Sequence, residues 1–86
     1  MELIKENEKG KTYQADGCKI LYRYKDTISG DNSINVKEVI YLISGSAEVT
    51  LEDSTKTVEA PAKIEFPEKT YHKIKALTDV AMVLFS

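Results

Sequence analysis

The chain holds one cysteine, Cys18, and one histidine, His72, among its 86 residues. A lone cysteine excludes an intrachain disulfide, and a reducing, cytoplasmic setting is expected from it. No base is readable beside Cys18, so a Cys–His nucleophile is not expected. A surplus of basic charge is missing as well: 12 Lys+Arg stand against 14 Asp+Glu, a formal net charge of −2. Nothing is left over to neutralise a run of phosphates, and no nucleic-acid partner is expected. No apolar run approaches the roughly 18 residues that a membrane helix needs. The start, Met1 to Lys9, carries acidic residues where a signal peptide would carry an apolar stretch, so no membrane partner is expected either. A phosphate-cradling glycine loop, a Cys-x-x-Cys pair and a nucleophile-elbow serine are all absent.

What is present is β-forming sequence. Val, Ile, Thr, Tyr and Phe make up roughly a third of the chain, and helix-period stretches are scarce. Period-2 alternation dominates. Cys18, Ile20, Tyr22 and Tyr24 alternate with Lys19, Leu21, Arg23 and Lys25, which predicts a strand with the first set on the core. Ala47, Val49 and Leu51 mark one face of a second strand, and Ala62, Ile64 and Phe66 one face of a third. Val36–Ile43 and Val80–Phe85 are apolar on both faces, which predicts cover on both sides by a second layer or a partner chain. Ser44-Gly45 predicts a tight hairpin, Glu52 to Thr55 a turn, and Ser29 to Ser33 a polar loop. Pro61 and Pro67 interrupt the ladder, because proline has no N–H to donate. About eight short strands separated by turns predict one all-β domain over residues 1–86, a sandwich or barrel.

Two polar residues fall on apolar faces. Glu38 shares a face with Val36, Ile40 and Leu42, and His72 shares one with Ile74 and Ala76. Both side chains are expected to point inward. An unpaired buried carboxylate is costly, so Glu38 must find a partner, and His72 is a natural one. The pair is either purely structural or the mark of a ligand site. Tyr22 and Tyr24 are either core residues needing one partner for each hydroxyl or further ligand contacts at a barrel mouth. Lys69, Lys73 and Lys75 form a basic cluster beside His72: either a solvated strand face or an attractor for an anionic ligand.

These residues resemble a known family. The stretch from Glu38 to Leu51, with Glu38 seven positions before Gly45, is similar to the second half of the first cupin motif. Pro67-Glu68-Lys69-Thr70-Tyr71-His72 resembles the second, Pro-x-Gly-x-x-His, with Lys69 in place of the glycine. The resemblance covers about Val36 to Phe85 and implies an all-β double-stranded β-helix, a jelly-roll barrel of antiparallel strands. It also implies homodimers formed through a sheet face or an exchanged N-terminal strand, which Leu3 and Ile4 could supply. The His-x-His of the first motif is missing before Glu38, where Asp31 to Ile34 stand instead. Of the family's four metal ligands only Glu38 and His72 remain. A divalent metal usually needs at least three protein ligands, so weak metal binding and no tightly bound cofactor are expected.

Three functional readings stay open. One is a module binding a small polar or anionic molecule in the barrel, with Glu38, His72, Tyr22 and Tyr24 as contacts. The second is a small cupin enzyme, an isomerase using His72 as acid and base or a metal-dependent oxygenase-like protein. The third is a structural or interaction protein whose barrel is filled by side chains.

Overall fold

A computed structural model describes residues 1–33 and 36–85. Among them there are ten strands and no helix, so no helix is long and apolar enough to cross a membrane. In chain order the strands are β1 (Glu2–Asn7), β2 (Gly10–Ala15), β3 (Cys18–Arg23), β4 (Ile28–Ser33), β5 (Glu38–Ser44), β6 (Ser46–Leu51), β7 (Ser54–Glu59), β8 (Ala62–Phe66), β9 (Tyr71–Ala76) and β10 (Val80–Phe85). They form a six-stranded sheet ordered β1-β2-β3-β10-β5-β8 and a four-stranded sheet ordered β4-β9-β6-β7. Every pairing is antiparallel. The expected jelly roll is thus present: the chain passes repeatedly between two sheets whose inner faces share one core.

The core is built by the predicted alternation. Ile40 and Leu42 of β5, Ala47 and Val49 of β6, Ile64 and Phe66 of β8, Ile74 and Ala76 of β9, and Val80 and Met82 of β10 are all buried. Phe66, Leu42 and Met82 are the largest fully buried side chains. Burying each stabilises the fold by about 1.5–3 kcal/mol relative to leaving it in water.

Three local expectations are corrected. The first concerns β3, whose core face is the opposite one. Leu21 is buried at 8% exposure, whereas Tyr22 and Tyr24 are 45% and 47% exposed. The reason is register. Leu21 lies opposite Thr12 and Met82, which face inward, while Tyr22 lies opposite Lys11 and Ala81 on the outer face.

The second concerns Ser44-Gly45, which is no hairpin: β5 and β6 belong to different sheets. Gly45 (φ 88°) is the corner between them, and a Cβ there would run into the Asp79 carbonyl and the Thr78 hydroxyl. The Ser46 N–H donates to that hydroxyl at 3.1 Å, closing the corner. The third concerns the polar segment Ser29–Ser33, which lies within the edge strand β4. An edge strand exposed on one side has no need of apolar alternation, and this one is broken by a register shift between Gly30 and Asn32.

The outer face of the six-stranded sheet is apolar across its central strands β3, β10 and β5, as the two-sided patterning of β5 and β10 predicts. Tyr41 packs edge-on against Phe85, and Tyr13 edge-on against Tyr22. Within the described chain nothing covers this face, and Ile43 is left 56% exposed. The N-terminal strand β1 pairs with β2 of its own chain.

Candidate functional site

One end of the sandwich is open. The open end is a cleft of about 350 Å³ between the two sheets. Its apolar wall includes Leu21, Ile40, Ile74, Met82 and Leu84, and its polar lining includes Glu38, His72, Asn32, Ser29, Thr12, Arg23, Lys19 and Lys5.

Glu38 and His72 meet there, as their strand faces require. Glu38 opens β5 opposite Phe66, and His72 lies on β9 between Asn32 of β4 and Leu51 of β6. The Glu38 Oε1 and His72 Nε2 atoms are 3.3 Å apart, with side-chain exposures of 19% and 5%. Two contacts hold the imidazole still. Its ring stacks on Phe66 at a centroid distance of 4.3 Å, tilted by 36°. On another side the backbone of Gly30 comes so close that a Cβ there would sit 3.2 Å from the His72 Cδ2 atom. His72 Nδ1 faces the Thr70 carbonyl at 3.5 Å. The pair therefore offers a carboxylate and an imidazole nitrogen, rigidly placed, to whatever enters the cleft.

Arg23 is the site residue that sequence reasoning misses. It lies on the Leu21 face of β3, and its guanidinium is fixed by the protein's own acceptors. Nη1 donates to the Lys11 and Tyr22 carbonyls, and Nη2 to the Thr12 hydroxyl, each at 3.0 Å. Partial burial pulls its pKa down from the ordinary arginine value, yet a guanidinium stays charged at any physiological pH. Among the described residues no carboxylate pairs with it. The one signal that could have found it is the alternation Lys19-x-Leu21-x-Arg23. Two cations make that face look solvated, but here it borders a wet cleft rather than bulk water.

The remaining candidates lie elsewhere. Tyr22 and Tyr24, with Tyr13, Lys11 and Met1, line a separate hollow on the outer face of the six-stranded sheet, so neither reaches the Glu38–His72 pair. Lys73 and Lys75 alternate with the inward His72, Ile74 and Ala76 and so occupy the outer face of the four-stranded sheet, while Lys69 sits in the β8–β9 turn. The cations at the mouth are instead Lys5, Lys19 and Arg23. Asp31 is turned out of the cleft and accepts a hydrogen bond from the Tyr71 hydroxyl, which with burial raises the pKa of that phenol. Asn32 does line the cleft, opposite His72.

A transition metal fits this donor set poorly. Among the described residues no group of three His, Cys, Asp or Glu side chains converges anywhere, and Glu38 and His72 supply two ligands where three or more are usual.

No protein-family model matches the chain, and no curated protein matches it in sequence. Its fold does match solved structures. A conserved protein of unknown function from Streptococcus pyogenes superposes with a TM-score of 0.74 at 24% identity, over 78% of this chain and 59% of that one. A salicylate 1,2-dioxygenase from Pseudaminobacter salicylatoxidans superposes at 0.76 and 17% identity, over 80% of this chain and 20% of that one. The oxalate decarboxylase of Bacillus subtilis, a protein with Mn(II) centres, superposes at 0.72 and 25% identity, over 78% of this chain and 19% of that one. The chain thus spans just under three fifths of the streptococcal protein and about a fifth of the two enzymes.

Proposed function

From the cupin fold of this chain, we propose that it is a binding module for a small organic anion, held in the open end of the barrel between Arg23 and the Glu38–His72 pair. The observation that carries this reading is the half-buried guanidinium of Arg23, pinned on three sides and without a carboxylate partner among the described residues. Holding a cation half-buried costs solvation, and an anion from solution restores what the protein does not provide. The mixed wall suits a small molecule, with apolar side chains for its carbon skeleton and a few fixed polar groups for its orientation. An open cleft also counts against a barrel filled throughout by side chains. Salicylate and oxalate, the compounds named for two proteins of the same fold, are small carboxylates too.

In this reading the anionic group sits on Arg23, with Lys19 and Lys5 adding long-range attraction at the mouth. Glu38 accepts a hydrogen bond from a ligand hydroxyl, and His72 gives or takes one at Nε2. No metal is tightly held. Elemental analysis of protein purified without added metal tests that part: near-stoichiometric zinc, iron or manganese would contradict it.

The test of the reading is calorimetric titration with pyruvate, 2-oxoglutarate and glucuronate. At least one should bind with 1:1 stoichiometry, and Arg23→Gln should weaken it about tenfold or more, the worth of a charge-assisted hydrogen bond to a fixed cation. Equal binding by wild type and Arg23→Gln would refute the reading. A second reading, proton transfer on the bound anion, is favoured by one observation, the 3.3 Å contact of an imidazole and a carboxylate inside the cleft. Exchange of ligand C–H for deuterium, abolished in His72→Gln with binding kept, would distinguish an enzyme from a binder.

A further inference from the structure

Beside the cleft lies a smaller recess of about 180 Å³. It shares Lys5, Thr12, Arg23, Ser29 and Gly30 with the cleft, so the two are continuous. The recess adds Lys9 and Asn7 and lacks any acidic residue in its lining. It therefore brings three cations, Lys5, Lys9 and Arg23, around a volume in which the protein places no counter-charge.

The backbone is bent to achieve this. In β1 the register slips by one residue at Ile4: Leu3 lies opposite Tyr13, but Lys5 lies opposite Thr12. A bulge of this kind inverts which side chains face inward beyond it. Without it Lys5 would point outward, whereas here it stands beside Ile4 in the lining of the cleft. With it Lys5 and Asn7 both line the recess. Lys9 is held at its rim by its turn, where its N–H donates to Asn7 Oδ1 at 2.9 Å and its carbonyl accepts the Tyr24 N–H at 2.9 Å. Of the five N–H donors of Arg23, three are spent on protein acceptors, and two remain without a partner among the described residues.

Resting on the anion-binding reading above, we infer that the recess is a phosphate subsite and that the ligand is a small phosphate monoester. Its phosphate lies among Lys5, Lys9 and Arg23, and its organic part extends into the cleft, where a hydroxyl or carbonyl meets Glu38 and His72. Charge selects phosphate over carboxylate. Three like charges around one recess repel one another, and a dianion relieves more of that repulsion than a monoanion does. Donor count points the same way. The hydroxyls of Thr12 and Ser29 and the amide of Asn7 join the three cations, which suits an anion with three terminal oxygens better than one with two.

The experiment is calorimetric titration of the full chain at low ionic strength with inorganic phosphate, glycerol 3-phosphate and pyruvate. Lys9 lines only the recess and Lys19 only the cleft, so Lys9→Gln and Lys19→Gln separate the two regions. Both are exposed, and circular dichroism confirms that each variant is folded. Phosphate and glycerol 3-phosphate should bind the wild type. Lys9→Gln should weaken both about tenfold while changing pyruvate affinity less than about twofold, and Lys9→Arg should keep phosphate binding. Lys19→Gln, which removes only a long-range charge at the mouth, should weaken inorganic phosphate much less than Lys9→Gln does. If pyruvate binds through Arg23 and phosphate does not, the subsite is refuted and the anion-binding reading stands. If phosphate binds Lys9→Gln as tightly as wild type, the recess is not its site and the inference falls. If no probe binds, the subsite is refuted, and the anion-binding reading is decided by its own titration with 2-oxoglutarate and glucuronate.

Discussion

Gly30 shows how much one missing side chain contributes to this site. Its φ of 83° lies where an L residue is strained, and a Cβ would press on the His72 ring at 3.2–3.3 Å. Gly30→Ala is therefore expected to destabilise the fold by about 1–2 kcal/mol and to shift the imidazole off Phe66. Denaturant unfolding checks the first effect, and the chemical shifts of the His72 ring protons the second. Gly45→Ala should cost more. The atoms its Cβ would meet belong to the Asp79 backbone and a hydrogen-bonded Thr78 hydroxyl, which cannot swing away as a ring can. At this scale Glu38 and His72 were legible in the sequence because each is a polar residue among apolar ones at period 2. Arg23 was not, because a cation beside a lysine reads as solvated whether it faces bulk water or a wet cleft.

Among the elements, the two edge strands of the six-stranded sheet are built differently. The edge strand β8 carries alternating charge on its outer side: Glu65 bonds to Lys63 at 3.2 Å and to Lys37 at 3.4 Å. Such charges discourage pairing with a second sheet edge. Lys63 first, then Lys37, hold the Glu65 carboxyl below its ordinary pKa, and Glu65 in turn raises that of Lys63. For a depressed carboxylate the stabilisation is present above the unfolded pKa and is lost as pH falls through the lower folded one. Carbon-detected NMR titration should place the Glu65 midpoint below the ordinary glutamate value, and added salt should bring it back up, since the group is exposed. The opposite edge, β1, is guarded by its bulge at Ile4, which interrupts a flat ladder and turns Lys5 inward. No sequence pattern announces that bulge, because register depends on what β2 presents opposite.

At the level of the whole molecule, the apolar outer face of the six-stranded sheet predicts a homodimer. Val39 and Tyr41 on β5, Val83 and Phe85 on β10, and Ile20 and Tyr22 on β3 form neighbouring rows on that side. Contiguous apolar patches larger than a few hundred Å² commonly mark association sites, and a stable interface needs about 1,200–2,000 Å² in total. Light scattering at micromolar concentration should give twice the chain mass. Val83→Lys, in the central row, should give a monomer with unchanged circular dichroism. A clean monomer for the wild type would remove the proposal.

The sequence by itself determined that the chain is all-β and that Glu38 and His72 point into one interior, while its resemblance to the cupin motifs implied the jelly roll. Strand periodicity is a local property: once β5, β6, β8 and β9 bury their apolar residues, a polar residue at the same parity has only one direction to take. Tertiary structure decided the rest. The face of β3 was set by its partners β2 and β10 against its local alternation, which favours Cys18, Ile20 and Tyr22 inside, because pairing puts Leu21 opposite the inward Thr12 and Met82. Whether the barrel was hollow depended on how far two sheets stand apart, and the cationic recess on a one-residue slip in β1. Both follow from long-range pairing between strands, whose energy is shared among residues far apart in the chain, so neither leaves a mark in any one segment.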